Sequence, residues 1–154
     1  MMLAVLLATA AVPAGRQPLG VFAGWGAFRD VAPARCFAIA EPVRKGASRP
    51  FASVASWPGE GARNQLHIRL SRPRHPRARV TLSIGERRFE LTAGAVDAWA
   101  PDAQADRAIV SAMRGGRSMS VETLGTNGAP FADVYPLKGA ATAIDAAALG
   151  CLAL

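Results

Sequence analysis

Histidines, cysteines and a dense run of arginines are the side chains of this 154-residue sequence best able to do chemistry. His67 and His75 are the two histidines. A hydrolytic triad would need one of them beside a serine and a carboxylate. His67 falls in the middle of an alternating segment, on its polar side, and His75 lies among prolines and arginines. Neither spacing makes a triad. The nucleophile elbow G-x-S-x-G, the phosphate-binding loop and the dinucleotide fingerprint are all missing. The histidines are separated by a proline-rich stretch, and no cysteine or acidic pair stands at metal-ligand spacing beside them. The acidic residues are scattered and form no paired-carboxylate site. No catalytic, cofactor-binding or metal-ligating residue is therefore expected.

The arginines are more informative. Between Arg63 and Glu90 stand eight of them, opposed only by Glu86 and Glu90, so this stretch holds nearly all of the formal charge of +7. Its centre reads Arg69-Leu-Ser-Arg72-Pro-Arg74-His-Pro-Arg77-Ala-Arg79, followed by Arg87 and Arg88. Pro73, Pro76 and charge repulsion predict an extended, solvated loop. Guanidinium groups pair bidentately with phosphate or carboxylate. Arg69, Arg72, Arg74, Arg77, Arg79, Arg87 and Arg88 are thus candidate contacts for an anionic envelope polymer or a lipid head group, lipopolysaccharide or an anionic polysaccharide among them. The plainer reading is a charged loop that only adds solubility. Nucleic acid is disfavoured, since no aromatic residues are interleaved for base stacking. Gly115-Gly116-Arg117-Ser118 could suggest an anion cradle. It follows a predicted helix, however, so the helix dipole points the wrong way and a C-terminal cap is expected. Trp25, Trp57 and Trp99 read as core or edge anchors.

Two cysteines permit one intramolecular pair, Cys36 with Cys151. Such a bond persists in an oxidising compartment, and two buried thiols would suit the cytoplasm. Residues 1–14, MMLAVLLATAAVPA, bear on that choice. Leu3 to Val12 is apolar, has the length of a signal-peptide core and is too short to span a bilayer. Ala8-Thr9-Ala10 and Val12-Pro13-Ala14 both offer small residues for cleavage. The missing leading cation leaves a buried first strand or helix as the competing reading. The expectation is a signal peptide over 1–14, one domain over 15–154, and location in the periplasm or at the cell surface. No other segment is long and apolar enough for a transmembrane helix.

These residues must be positioned by short elements. A hydrophobic content of 51% suits a folded domain. Short apolar runs punctuated by Gly and Pro predict a mainly β chain. Strands are expected at 21–30, 34–43, 51–57, 65–70, 80–84, 87–93, 118–123 and 131–137. In the fourth, Leu66, Ile68 and Leu70 face one side and Gln65, His67 and Arg69 the other. Gly85-Glu86 reads as a hairpin turn, with Phe89 and Leu91 facing inward after it. Asp102–Arg114 reads as a helix with Asp102 as N-cap and Gly115-Gly116 as its stop. Ala140–Leu149 reads as a second short helix.

The last third carries a pattern: Ala98-Trp99-Ala100-Pro101-Asp102, Ala108 to Gly115, Ser118-Met-Ser-Val121, Asp133-Val-Tyr135-Pro-Leu137-Lys-Gly139, an alanine-rich helix and Cys151. With Arg49-Pro50-Phe51 and the early Cys36, it resembles the invasion-associated locus B family of exported α-proteobacterial envelope proteins over about residues 22–151. It departs at Gly125-Thr126-Asn127-Gly128, at Pro136 and in the arginine-rich loop. The resemblance implies an immunoglobulin-like β-sandwich with one or two short helices near the C-terminus, export, and in pathogens a part in host-cell invasion. It carries over no catalytic residue. The function expected is non-enzymatic: binding another envelope component, or structural support. Polyanion binding is the alternative, and an enzyme with an unrecognised site the remote one.

Overall fold

Alternation of large and small, apolar and polar residues builds most of the molecule as strands. The computed structural model describes residues 15–152. The expected signal peptide lies outside the described residues. In chain order come β1 (Arg16–Phe22), β2 (Trp25–Asp30), β3 (Arg35–Ala40) and β4 (Phe51–Trp57). A 3-10 turn (Pro58–Glu60) leads to β5 (Ala62–Arg69), then β6 (Val80–Ile84), β7 (Arg87–Ala93) and β8 (Asp97–Trp99). Helix α1 (Ala103–Gly115), β9 (Ser118–Leu124), β10 (Pro130–Pro136) and helix α2 (Ala140–Cys151) complete the chain.

The strands follow the antiparallel order β1-β2-β3-β4-β5-β8-β7-β6-β9-β10. One continuous ten-stranded sheet therefore stands where the two separate sheets of an immunoglobulin-like sandwich were expected. The joint is β8. Trp99 pairs with His67 of β5 on one side and with Thr92 of β7 on the other. A three-residue strand between alanines has too little alternation to be read in the sequence.

One face of the sheet carries the core. Ala27, Ala38, Val54 and Leu66 form one buried row across β2 to β5, and Trp25, Ala40, Ala52, Ile68 and Ala98 form the next. The alanines are needed because α2 lies across β2 and β3 and brings its own Ala143, Ile144 and Ala147 to the contact. Small residues on both sides let helix and sheet approach closely. Gly139 begins α2 at φ 86°, and a Cβ there would collide with the backbone oxygen of Phe22. Only glycine suits both demands.

Helix α1 starts where expected. Asp102 caps it by accepting from the Ala105 amide at 2.8 Å, and Ile109, Val110 and Met113 are buried. The helix stops at Gly115, and Gly116 packs where a Cβ would lie 2.7 Å from Ile84. The glycine pair is thus a helix end and no anion cradle. Arg114 bridges the two helices through Asp145 at 2.7 Å.

The segment 21–30, expected as one strand, is a hairpin. Ala23-Gly24 turns the chain with Ala23 at φ 52°, pairing Phe22 with Trp25. Ala-Gly is a far weaker turn signal than Asn-Gly, so the break is silent in the sequence. At the other edge β10 stops at Pro136, in line with a residue that cannot donate to a ladder. Asp133 and Tyr135 share the buried face of β10.

The Tyr135 hydroxyl is buried without a hydrogen-bond partner among the described residues. Burial, and then the charge of Asp133, push its ionisation far above the usual range. Tyr135→Phe removes this unsatisfied group. It is expected to leave stability unchanged or raise it by about 1 kcal/mol in urea unfolding. A loss of that size would show that the hydroxyl has a partner.

Candidate functional site

The arginine-rich segment has to cross from β5 to β6, which are not neighbours in the sheet, so it spans the ends of β8 and β7. The crossing is not the free, extended loop the sequence suggests. The amide of Arg74 donates to Ala95 O at 2.9 Å, and that of His75 to Leu124 O at 2.8 Å. The Arg74 side chain does more. Its Nε donates to Gly94 O, its Nη2 to Ala93 O, and its Nη1 to the carbonyls of His75, Pro76 and Ala78, at 2.6–3.1 Å. The guanidinium fork is filled by five carbonyls, two from Ala93 and Gly94 and three from the crossing itself, of which His75 O also accepts from the Ala78 amide. Arg74 is a structural residue and leaves the set of anion contacts.

The other arginines divide. Arg69 is half-buried, donating to Ser48 O at 2.8 Å and facing Asp97 at 3.5 Å. Arg79 and Arg88 make exposed ion pairs with Glu90 and Glu122 at 3.6 and 3.9 Å, which contribute little. Arg87 lies 4.9 Å over the Phe89 ring and Arg72 4.9 Å over the Phe131 ring. Arg77 is exposed at the crest of the crossing. Arg72, Arg77 and Arg87 make no ion pair among the described residues.

His67 lies on the outer face of β5. Its Nε2 is 2.9 Å from Asp97 Oδ1, its ring stacks on Trp99 at 5.4 Å, and the edge of Phe51 meets it at 5.0 Å. Ser53 is its cross-strand neighbour, but among the described residues the His67 ring has no hydrogen bond to a serine. His75 uses Nδ1 to accept from the Arg77 amide. Among the described residues no group of three or more His, Cys, Asp or Glu could hold a metal. The tryptophans differ in kind. Trp25 is buried and donates to Pro136 O at 2.9 Å, Trp57 is half-buried beside Arg35, and Trp99 is 42% exposed.

Two buried carboxylates went unnoticed in the sequence because each serves a distant backbone amide. Asp106 of α1 accepts from the Leu66 amide of β5 at 2.8 Å, and Asp133 of β10 from the Ser71 amide at 2.8 Å. Burial raises the Asp106 pKa, the Leu66 amide opposes this, and the Asp102 charge adds to it. A raised carboxyl contributes stability that is present at low pH and lost as pH rises through the raised value. Asp106→Asn keeps an acceptor oxygen for Leu66 without the buried charge. The variant is expected to gain on the wild type as pH rises through and just above the carboxylate range. Unfolding free energies measured against pH check this, and a difference constant with pH would refute it.

Cavities open at several places among the described residues. One of about 400 Å³ lies beside Cys151, between Leu149, Leu152 and the start of β5. Another of about 510 Å³ lies between β5 and the start of α1, near Asp102 and Arg107. A third, of about 220 Å³, is bounded by Arg44, Lys45, Arg72, Phe131 and Asp133. Sequence reasoning missed this last group, since its two walls are about ninety residues apart.

Cys36, at the core of β3, is bonded to Cys151 at the end of α2, with Cα atoms 5.7 Å apart. A curled antiparallel sheet with two helices in its C-terminal part, closed from an early strand to the last helix by one disulfide, defines the class of protein. The same fold occurs in a solved structure, the invasion associated protein b from Bartonella henselae. The two match with a TM-score of 0.60 and 14% sequence identity, over 85% of this chain and 96% of that one. No family model and no curated protein matches the sequence. The structural match thus falls on the kind of protein that the sequence resembles, with one curled sheet in this chain in place of the expected sandwich. No helix among the described residues is long and apolar enough to cross a membrane.

Proposed function

We propose that this is an exported, non-enzymatic protein of the cell envelope, located in the periplasm or at the surface and acting by binding. The observation that carries the reading is the Cys36–Cys151 bond, because such bonds persist outside the reducing cytoplasm. The fold shared with an invasion-associated protein supports it as analogy. Residues 1–14 act as the signal peptide, and the mature chain is one domain. N-terminal sequencing of protein from its native host is expected to begin between Ala11 and Gly15, in a periplasmic fraction with no free thiol. Recovery of intact Met1 in the cytoplasm with two free thiols would end this reading.

A second reading, polyanion binding, is favoured by the exposed arginines that no carboxylate neutralises: Arg72, Arg77 and Arg87. Arg79 and Arg88 belong with them, since their exposed pairs exchange readily for a ligand anion. Replacing Arg72, Arg77 and Arg79 with serine is expected to change stability by no more than about 0.5 kcal/mol per site. It is expected to lower the salt concentration at which the protein leaves heparin or lipopolysaccharide. Since salt screens surface charges within about 10 Å at 0.1 M, wild-type binding falls steeply with ionic strength. Equal elution of wild type and variant would reduce these arginines to a solubility role.

A further inference from the structure

We propose that the cavity between Arg44, Arg72 and Asp133 is a binding site for an acidic sugar: one ring bearing hydroxyl groups and a carboxylate or phosphate. The inference deepens the reading of the protein as a binding protein, and its failure would leave the export reading untouched.

The site is built by contacts that fix both walls. Residues 41–50 are held to the sheet edge by the Val43 amide, which donates to Val134 O at 2.8 Å, and by Arg69, which donates to Ser48 O. Gly46 seats against Ser71 so closely that a Cβ would lie 2.5 Å from the Ser71 oxygen. Ser71 in turn donates its amide to Asp133 Oδ2 at 2.8 Å. These contacts place the cations of one loop opposite the inner face of β10 before any ligand arrives, which lowers the ordering cost of binding.

The polar groups converge in a pattern that selects chemistry. Arg44 is exposed and makes no ion pair among the described residues, whereas Lys45 pairs with Glu41 at 3.2 Å. Arg72 lies 4.9 Å over the Phe131 ring, and both residues line the cavity. Two arginines without a carboxylate partner among the described residues therefore line the cavity, and bidentate pairing is the strong form of guanidinium contact with an anion. Asp133 sits on the opposite wall, 4% exposed, with Oδ2 bonded to Ser71 and Oδ1 free of hydrogen bonds among the described residues. That oxygen is an acceptor for a ligand donor. A simple anion cannot use it. An ammonium could, but three neighbouring cations oppose one, whereas a hydroxyl donates without charge. Phe131, packed against the core with Arg72 over its ring, adds an apolar edge to the cavity lining. A volume of about 220 Å³ holds roughly seven waters, the size of one hexose.

The test is a titration of the mature, disulfide-bonded protein followed by amide NMR shifts. The probes are D-glucuronate, glucose 6-phosphate, glucose, inorganic phosphate and glutamate. Glucuronate, glucose 6-phosphate or both are expected to give saturable shifts at residues 44–46, 71–72 and 131–133, with Kd on the order of 1 mM. The acid that binds identifies the source of the anion. Arg44→Ser, an exposed change, is expected to weaken binding about tenfold while leaving the remaining spectrum unchanged. Phe131→Leu, which keeps an apolar wall but no ring, is expected to weaken it less. Absence of saturable shifts with both acidic sugars overturns the proposal. So does glucose binding as tightly as glucuronate, phosphate as tightly as glucose 6-phosphate, or glutamate as tightly as either acidic sugar.

Discussion

Arg74→Ala is expected to destabilise the protein by about 2–4 kcal/mol, while Arg77→Ala, three residues on, changes stability by no more than about 0.5 kcal/mol. The difference lies in partners alone. Arg74 donates to five carbonyls, tying its own crossing (His75, Pro76 and Ala78) to the end of β7 and the residue beyond it. Arg77 is solvated at the same crest. A hydrogen bond from a charged donor contributes more than a neutral one, and carbonyls abandoned beneath a loop lose that partner together. Arg74→Lys is expected to restore little, because one ammonium cannot match the geometry of a planar fork. Urea unfolding of the three variants decides the point. Equal stability of the Arg74→Ala and Arg77→Ala proteins would return Arg74 to the solvated, ligand-binding group. Heparin binding adds an independent readout: at temperatures where both variants are folded, Arg77→Ala is expected to weaken it and Arg74→Ala to weaken it less.

The second large effect is expected from breaking the Cys36–Cys151 bond. The cysteines are 115 residues apart in sequence, so the bond closes almost the whole described chain. Chain-entropy arguments assign a loop of about 100 residues close to 4.7 kcal/mol, with native strain lowering the realised value. A loss of about 3 kcal/mol is a large share of a total stability of about 5–15 kcal/mol. At about 2–4 °C per kcal/mol for this size, the melting temperature should fall by roughly 10 °C. The mechanism is specific to this fold. Cys151 ends α2, and α2 covers β2 and β3, so the bond pins the helix that seals the alanine-rich part of the core. Reduction should therefore loosen α2 first, and hydrogen exchange should rise at Ala143, Ile144 and Ala147 before it rises in β6 to β9. Calorimetry with and without reductant, beside a Cys36→Ala, Cys151→Ala double variant, measures the effect. Unchanged melting in the reduced protein would show that packing alone holds the helix.

What could be read directly from the chain were features whose cause is local or combinatorial. Period-two alternation located β6 and β7 to the residue, because one buried face is enough to impose it, and β4 was located as well although Ala52 to Ala55 are buried on both faces. Asp102 and the glycines at 115 and 116 bounded α1, since capping acts within one turn. Two cysteines left one pairing to consider. Only the tertiary structure decided what lies between distant segments. Ala23-Gly24 turns the chain where β1 and β2 pair and Trp25 enters the core, a turn the dipeptide itself does not announce. The three residues of β8 become a strand because β5 and β7 each leave an edge that must be paired. The arginines are the sharpest case. Arg72, Arg74 and Arg77 are the same residue type in one short segment. Yet one lies over a ring contributed by β10, one is consumed by three carbonyls of its own segment and two about twenty residues away, and one is left to solvent. A guanidinium's role is set by the acceptors within its reach, and those are fixed only when the sheet has brought β7 and β10 to the same crossing.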